Sequence, residues 1–376
     1  MVPVDVAIVG GGIAGASAAA CLAQHRSVVL LEREDQPGYH ASGRSAALFT
    51  ETYGNAVVRA LTLASRAFLE SPPDGFAEHP LLSPRGALHV GTDGDEDWLA
   101  TLLAETRALV PSVRGIGAAE ARRILPALKT DWVRGGVFEP DAQDIDTHGC
   151  IQGYLRMARR NGAKILTRGE VTSIERSGGR WNLEASAGRV TAEVVVNAAG
   201  AWADTLAGMA GVPRRGLAPK RRTAFLFAPP TDMDVRTWPI CIGPREACYF
   251  KPDAGMILGS PADETPSEPT DAQPEELDIA IAADRIQDMA DLPIRRIARS
   301  WAGLRTFAPD KTPVVGFDPG AEGFFWLAGQ GGYGFQTAPA LAAVTTSLIL
   351  AEKVPTFITD LGVTARQLAP ERLPPL

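Results

Sequence analysis

The residues whose types and spacing point to chemistry come first in the chain. Gly10-Gly-Gly12-Ile13-Ala14-Gly15 follows an apolar run from Asp5 to Val9, and a small-residue helical pattern continues from Ala16. A second apolar run, Ser27 to Leu31, ends on Glu32, 17 residues after Gly15. The order is strand, glycine turn, helix, strand, acid. In that order Gly10 permits a tight turn, Gly12 lets the backbone approach a pyrophosphate, and Gly15 lets the helix pack close to the sheet. The start of the helix offers unpaired N–H groups and partial positive charge to phosphates. Glu32 is placed to accept the ribose hydroxyls of an adenine dinucleotide and would repel a 2′-phosphate. The chemistry is dinucleotide binding, with NAD and FAD both open at this point.

Other constellations carry less. Asp144-Ile-Asp146-Thr-His148 alternates acids on one face of a strand, as a metal site would. Asp146 and Thr147 read more simply as N-cap residues, and no metal is expected. A Ser/His/Asp hydrolase lacks its GxSxG elbow. Arg222 and Arg305 adjoin the apolar stretches Thr223–Phe227 and Trp301–Leu304. A guanidinium in such a place either closes a structural salt bridge or grips a carboxylate with two parallel hydrogen bonds.

Elements must hold these groups in place. The 376 residues suggest two domains, or one large domain with an insertion, and the 45% hydrophobic content supports a sizeable core. Net charge is −7, which argues against a nucleic-acid surface. Four cysteines without a CxxC predict no disulfides and a reducing, cytoplasmic setting. The N-terminus lacks the basic region of a signal peptide, and no run of 18 apolar residues predicts a membrane span.

Helical patterns run from Asn55, through Thr101–Arg107 and Ala118–Arg123, and from Asp146 to a stop at Asn161-Gly162. From Lys164 the period becomes two, with strands around 165–167, 171–176, 181–185 and 190–196. A second sheet-rich region spans 217–310, including strands at 223–227, 248–251 and 256–258. Residues 264–276 read as a surface loop. Then come a strand at 323–327, a glycine turn at 328–334 and a helix from Ala338 to Ala351. The nucleotide fold is thus interrupted twice, which disfavours a simple NAD dehydrogenase.

Gly10-x-Gly12-x-x-Gly15 with Glu32, the strand end Asn197-Ala-Ala-Gly200-Ala-Trp202, and Gly329-Gln-Gly-Gly-Tyr-Gly334 resemble the FAD-dependent D-amino acid oxidase/glycine oxidase family over nearly the whole chain. Within it, Gln36-Pro-Gly-Tyr-His, Gly43-Arg-Ser-Ala-Ala47, Pro219-Lys-Arg-Arg222 and Trp301-Ala-Gly-Leu-Arg305 are similar to bacterial D-arginine dehydrogenase. The resemblance implies an α/β fold. A glutathione-reductase-type, Rossmann-like FAD domain (1–80, 140–205, 310–376) would carry an inserted mixed-sheet substrate domain (81–139, 206–309). It implies FAD contacts from Gly10, Gly12, Ile13, Ala14, Gly15, Glu32, Arg33, Ser42, Arg44, Ser45, Ala46, Val171, Ala199, Gly200 and Trp202. Further contacts would come from Gly303, Arg305, Gly331, Gly332, Tyr333, Gly334 and Gln336. No cysteine precedes Pro309-Asp310, where some relatives tether flavin, so non-covalent FAD is expected.

The same resemblance implies an amino acid substrate. Its carboxylate would lie on Arg222 and Arg305, aided by the hydroxyls of Tyr249 and Tyr53, with Tyr53 on a mobile lid. The pocket would add Leu48, Thr50, Ala87, Ile240, Ile242, Gly303, Gly332 and Gln336. Ala87 and Leu48 stand where the D-arginine enzyme has a glutamate and a histidine. A cationic side chain would lose its partner there, so an apolar D-amino acid is expected, oxidised by hydride transfer to flavin N5 and then hydrolysed to keto acid and ammonia. Alternatives are an N-substituted glycine or other secondary amine acid, and a non-catalytic flavin subunit. Oxygen and a quinone both stay open as electron acceptor, as does the oligomeric state.

Overall fold

A computed structural model describes residues 2–376. The strand Val2–Val9 pairs in parallel with Val28–Leu31 on one side and Gly188–Asn197 on the other. Val28–Leu31 also pairs in parallel with Lys164–Leu166, and Gly188–Asn197 with Phe324–Ala328. All four residues of Val28–Leu31 are buried, as expected of a parallel strand covered on both faces. One face packs under the helices Ile13–Leu22, Thr147–Arg160 and Gly334–Ile349. The other packs under the antiparallel strands Val171–Ser177 and Arg180–Ala185 through Ile174, Trp181 and Leu183. Helix Ile13–Leu22 can sit between two other helices because Ala16, Ala18, Ala19 and Ala20 bring their backbones close, and each is fully buried. Asn55 and Asp146 cap their helices by accepting the N–H groups of Val58 and Gly149.

The second sheet has nine strands. The order runs Ile297–Phe307, Ala218–Phe227, Met256–Ser260, Tyr249–Asp253, Ile240–Ile242, Ala87–Gly91, Gly135–Glu139, Arg114–Gly117, and Thr265–Pro266 pairs with the start of Ala218–Phe227 on the edge that Met256–Ser260 takes farther along. One face is apolar, built from Leu88, Phe225, Cys241 and Phe250, and is closed by the helices Ala118–Ile124 and Glu276–Met289. The opposite face builds the site. The proposed two-domain division puts the two large sheets in different units. A small sheet of Leu48–Phe49, Gln143–Ile145 and Leu82–Pro84 crosses that boundary.

Two local expectations change. The last long helix begins at Gly334, not Ala338. Gly334, read as part of the glycine turn, is its first residue, and Pro339 lies inside it at the sixth position, where the helix does without one N–H bond. Residues 264–276 are not a free loop. Thr265–Pro266 pairs with Lys220–Arg221, and Ala272 is buried against Ala201, Ala302 and Leu304.

Candidate active site

A long cleft runs between the two large sheets, and the helix N-termini at Gly12 and Tyr333 both open onto it. Gly10 holds φ +108°, and a Cβ there would meet the Ala198 carbonyl oxygen at 2.3 Å. No other residue fits that turn. Gly12, Ile13 and Ala14 line the cleft, while Gly15 does not. A Cβ on Gly15 would lie 1.9 Å from the Gly10 carbonyl oxygen, so Gly15 serves packing of the turn. The Glu32 carboxylate reaches the cleft wall while accepting the N–H groups of Gly11 at 2.7 Å and Glu34 at 2.9 Å. Arg33, Ser42, Ser45, Ala46, Val171, Ala199, Gly200 and Trp202 line the same cleft. Ser42 Oγ accepts from the Ile13 N–H at 3.0 Å, capping the helix start. Trp202 lies between Arg33, 4.9 Å over its ring, and His40, 4.7 Å away.

Arg44 departs from expectation. It lines the cleft, but its guanidinium donates to the carbonyls of Ala272 and Ala302 and to the Asp271 carboxylate. Those donors tie residues 271–272 down beside the cleft instead of meeting a pyrophosphate. Thr270, on the same strap, is a cleft residue that nothing in the sequence singled out.

At the far end, alternation on the second sheet decides which side chains share a face. Arg222 lies opposite Gly303, and Arg305 opposite Lys220. Tyr249 lies opposite Ser260 and Ile242, Ile240 opposite Ala87, and Ala87 opposite Glu139. Arg222, Arg305, Tyr249 and Gly303 all line the cleft. Arg222 donates through Nε to the Asp263 carbonyl at 2.7 Å, and its side chain is 12% exposed. Arg305 donates to the Tyr53 hydroxyl at 3.3 Å and has no ion-pair partner among the described residues. Burial raises the Tyr249 pKa, but Arg305 and Arg222 beside it more than offset this and hold the phenol below its ordinary value. The result is a buried positive end to the cleft, which fits a carboxylate.

Several expected pocket residues lie elsewhere. Gln336 falls on the inner side of its helix and donates to Thr62 Oγ1 at 2.8 Å, because the helix starts early enough to turn it away from the cleft. The Tyr333 ring packs with Phe307, Val58 and Tyr53, whereas its neighbours Gly331, Gly332 and Gly334 line the cleft. Thr50 is buried and donates to Glu139, a carboxylate on a strand no motif marked. Leu48, Ala87, Ile240 and Ile242 form one apolar cluster with Ala224, Tyr249 and Leu258. Of that cluster Ala224 and Tyr249 reach the cleft surface, whereas Leu48, Ala87, Ile240 and Ile242 support the wall from behind. Tyr53 covers Arg305 without lining the cleft itself. In the Asp144–His148 segment, Asp144 pairs with Arg85 and Lys251 and Asp146 caps a helix.

FAD fits the cradle. Two long helices point their N-termini at one cleft, an acid closes one end, and the glycine turn leaves room only for backbone. Two buried polar atoms on the cleft wall, Thr306 Oγ1 and Gln330 Nε2, also have no protein partner. None of the four cysteines lines the cleft. Residues 5–348 match the family described as DAO, FAD dependent oxidoreductase. The chain belongs to that family. This DAO-family enzyme is 24% identical over 361 residues to glycine oxidase of Geobacillus kaustophilus (strain HTA426), which covers 92% of each chain. The crystal structure of that glycine oxidase matches 94% of the chain and 96% of its own, with TM-score 0.83 and 23% identity. L-proline dehydrogenase from P. horikoshii matches 99% of the chain and 98% of its own, with TM-score 0.83 and 21% identity. Iminodiacetate oxidase from Chelativorans sp. BNC1 matches 97% and 98%, with TM-score 0.80 and 21% identity. The DAO-family chain is therefore an FAD-dependent oxidoreductase. No helix among the described residues is long and apolar enough to cross a membrane.

Proposed function

We propose that this enzyme oxidises the C–N bond of an amino acid with an apolar side chain, in the D configuration, to an imino acid that hydrolyses to keto acid and ammonia. The observation that carries the reading is Arg305, a guanidinium on the cleft wall that, among the described residues, only a tyrosine hydroxyl engages. Arg222 and Arg305 hold the carboxylate, and Tyr249 hydrogen-bonds it from between them. Tyr53 closes over Arg305 and excludes water from the ion pair, which strengthens it. Ala224 on the cleft wall, backed by Leu48, Ala87, Ile240 and Ile242, offers an apolar side-chain end to the pocket. Non-covalent FAD supplies the acceptor for the α-hydride and its electron pair. The substrate nitrogen enters neutral, and its lone pair forms the C=N bond as the hydride leaves. The protein contributes position and charge complementarity, and no side chain acts as a strong base.

A second reading rests on the relatives. Glycine oxidase, L-proline dehydrogenase and iminodiacetate oxidase include names of secondary-amine substrates. The same two arginines would then hold the carboxylate of an N-substituted glycine. Anaerobic mixing of the holoenzyme with D-amino acids, L-amino acids and N-alkyl glycines separates these readings by flavin bleaching. Bleaching by apolar D-amino acids with ammonia release supports the first. Bleaching confined to N-alkyl glycines, with release of a primary amine, supports the second. No bleaching by any of them refutes both.

A further inference from the structure

Glu139 is a carboxylate without a place in the site described above, and it is 5% exposed. It projects from the strand Gly135–Glu139 on the same sheet face as Ala87, its cross-strand partner. Thr50 donates to its Oε2 at 2.8 Å and Thr52 donates to the same oxygen at 2.6 Å. Oε1 accepts a second, longer contact from Thr50 at 3.0 Å, and the two threonine hydroxyls lie 2.9 Å apart. Two hydroxyls of one short segment therefore converge on one buried acid. The next residue is Tyr53, whose hydroxyl meets Arg305 and whose ring lies 4.9 Å from Tyr333. Arg59 holds the same segment from the other side, donating to the Thr52 carbonyl at 3.0 Å.

We propose that Glu139 is a positioning residue: it fixes the Thr50–Thr52 turn on the substrate sheet so that the Tyr53 hydroxyl stays on Arg305, and so tunes carboxylate binding from a strand that never touches the ligand. The inference rests on the reading that Arg305 binds the carboxylate. Burying a carboxylate is unfavourable unless donors satisfy it, and donors held this tightly lose their own freedom. The acid thus trades its desolvation for order in one short segment. A structural role alone would need only that the segment stay folded. A positioning role requires that the loss pass through Tyr53.

The test uses holoenzyme and benzoate, a carboxylate without an oxidisable amine, with Kd read from the perturbation of flavin absorbance. Thr52→Val removes one donor to Glu139 and is expected to raise Kd roughly five- to tenfold, about one hydrogen bond's worth. Thr52→Ser keeps the hydroxyl and is expected to restore the wild-type Kd. Tyr53→Phe is expected to raise Kd by a similar factor, and adding Thr52→Val to it to change Kd less than twofold further. That non-additivity is the signature of action through Tyr53. Glu139→Gln, if it folds, is expected to behave as Thr52→Val does. Additive losses in the double variant overturn the proposal, as does an unchanged Kd in either Thr52→Val or Tyr53→Phe. Arg305→Lys keeps the two readings apart. A large loss there with no effect of Thr52→Val overturns only the Glu139 proposal. No benzoate binding by wild type, or full binding by Arg305→Lys, overturns the carboxylate reading and this inference together.

Discussion

Replacing Arg305 with methionine tests the site at its strongest point. The side chain keeps an unbranched apolar stem but is shorter, and loses the charge and five N–H donors. Arg305 lines the cleft and has no carboxylate partner among the described residues, so the change leaves no charge unpaired and removes one hydrogen bond, that from Arg305 to the Tyr53 hydroxyl. The loss should therefore appear in ligand binding instead of folding. Each hydrogen bond from a charged donor contributes about 1.5–3 kcal/mol, and a buried ion pair broken on one side loses about 3–5 kcal/mol. Arg222 and Tyr249 remain, so the lower half of that range is expected, about 3–4 kcal/mol. At about 1.4 kcal/mol per decade this is two to three orders of magnitude in benzoate Kd and in kcat/KM. The flavin should be retained, because the nucleotide cradle is built from the glycine turn and residues 32–46, far along the cleft. The assay is benzoate titration of the yellow protein, with flavin content from the ratio of visible to ultraviolet absorbance. An unchanged Kd in flavin-loaded Arg305→Met refutes the carboxylate assignment.

Two further outcomes follow from the geometry. Tyr249 titrates below its ordinary value of 10.0 because Arg305 and Arg222 favour its phenolate. As pH rises through that pKa the phenolate competes for both guanidiniums, so benzoate Kd should rise on the alkaline side in wild type and stay flat in Tyr249→Phe; the same rise in both proteins excludes Tyr249 as its cause. Gly10→Ala places a methyl 2.3 Å from the Ala198 carbonyl oxygen at φ +108°. Strain and overpacking together should cost about 2–5 kcal/mol and give a protein of lower Tm with little flavin, and full flavin with an unchanged Tm contradicts the close-approach argument.

The nucleotide half of this protein was legible in sequence because its constraints are local. A turn at Gly10, a tight helix start at Gly12 and Gly15, and an acid at the end of the next strand are all set within about one βαβ unit, so spacing alone specifies them. The helix cap at Asp146 was readable for the same reason: donor and acceptor lie three residues apart. The family resemblance extended this to the arginines and to Tyr249. What it could not fix was the direction of side chains whose partners lie far away in the chain. Gln336 and Tyr333 turn from the cleft because the helix starts at Gly334. Arg44 is consumed by Asp271, 227 residues later. Thr50 answers to Glu139, 89 residues away, and Glu139 carries no motif at all. Ala87 and Ile240 line up behind Tyr249 only through strand register. Local spacing determined dinucleotide binding, while the tertiary structure decided the substrate end, because register between distant strands sets which face each side chain takes and whose donors each carboxylate receives.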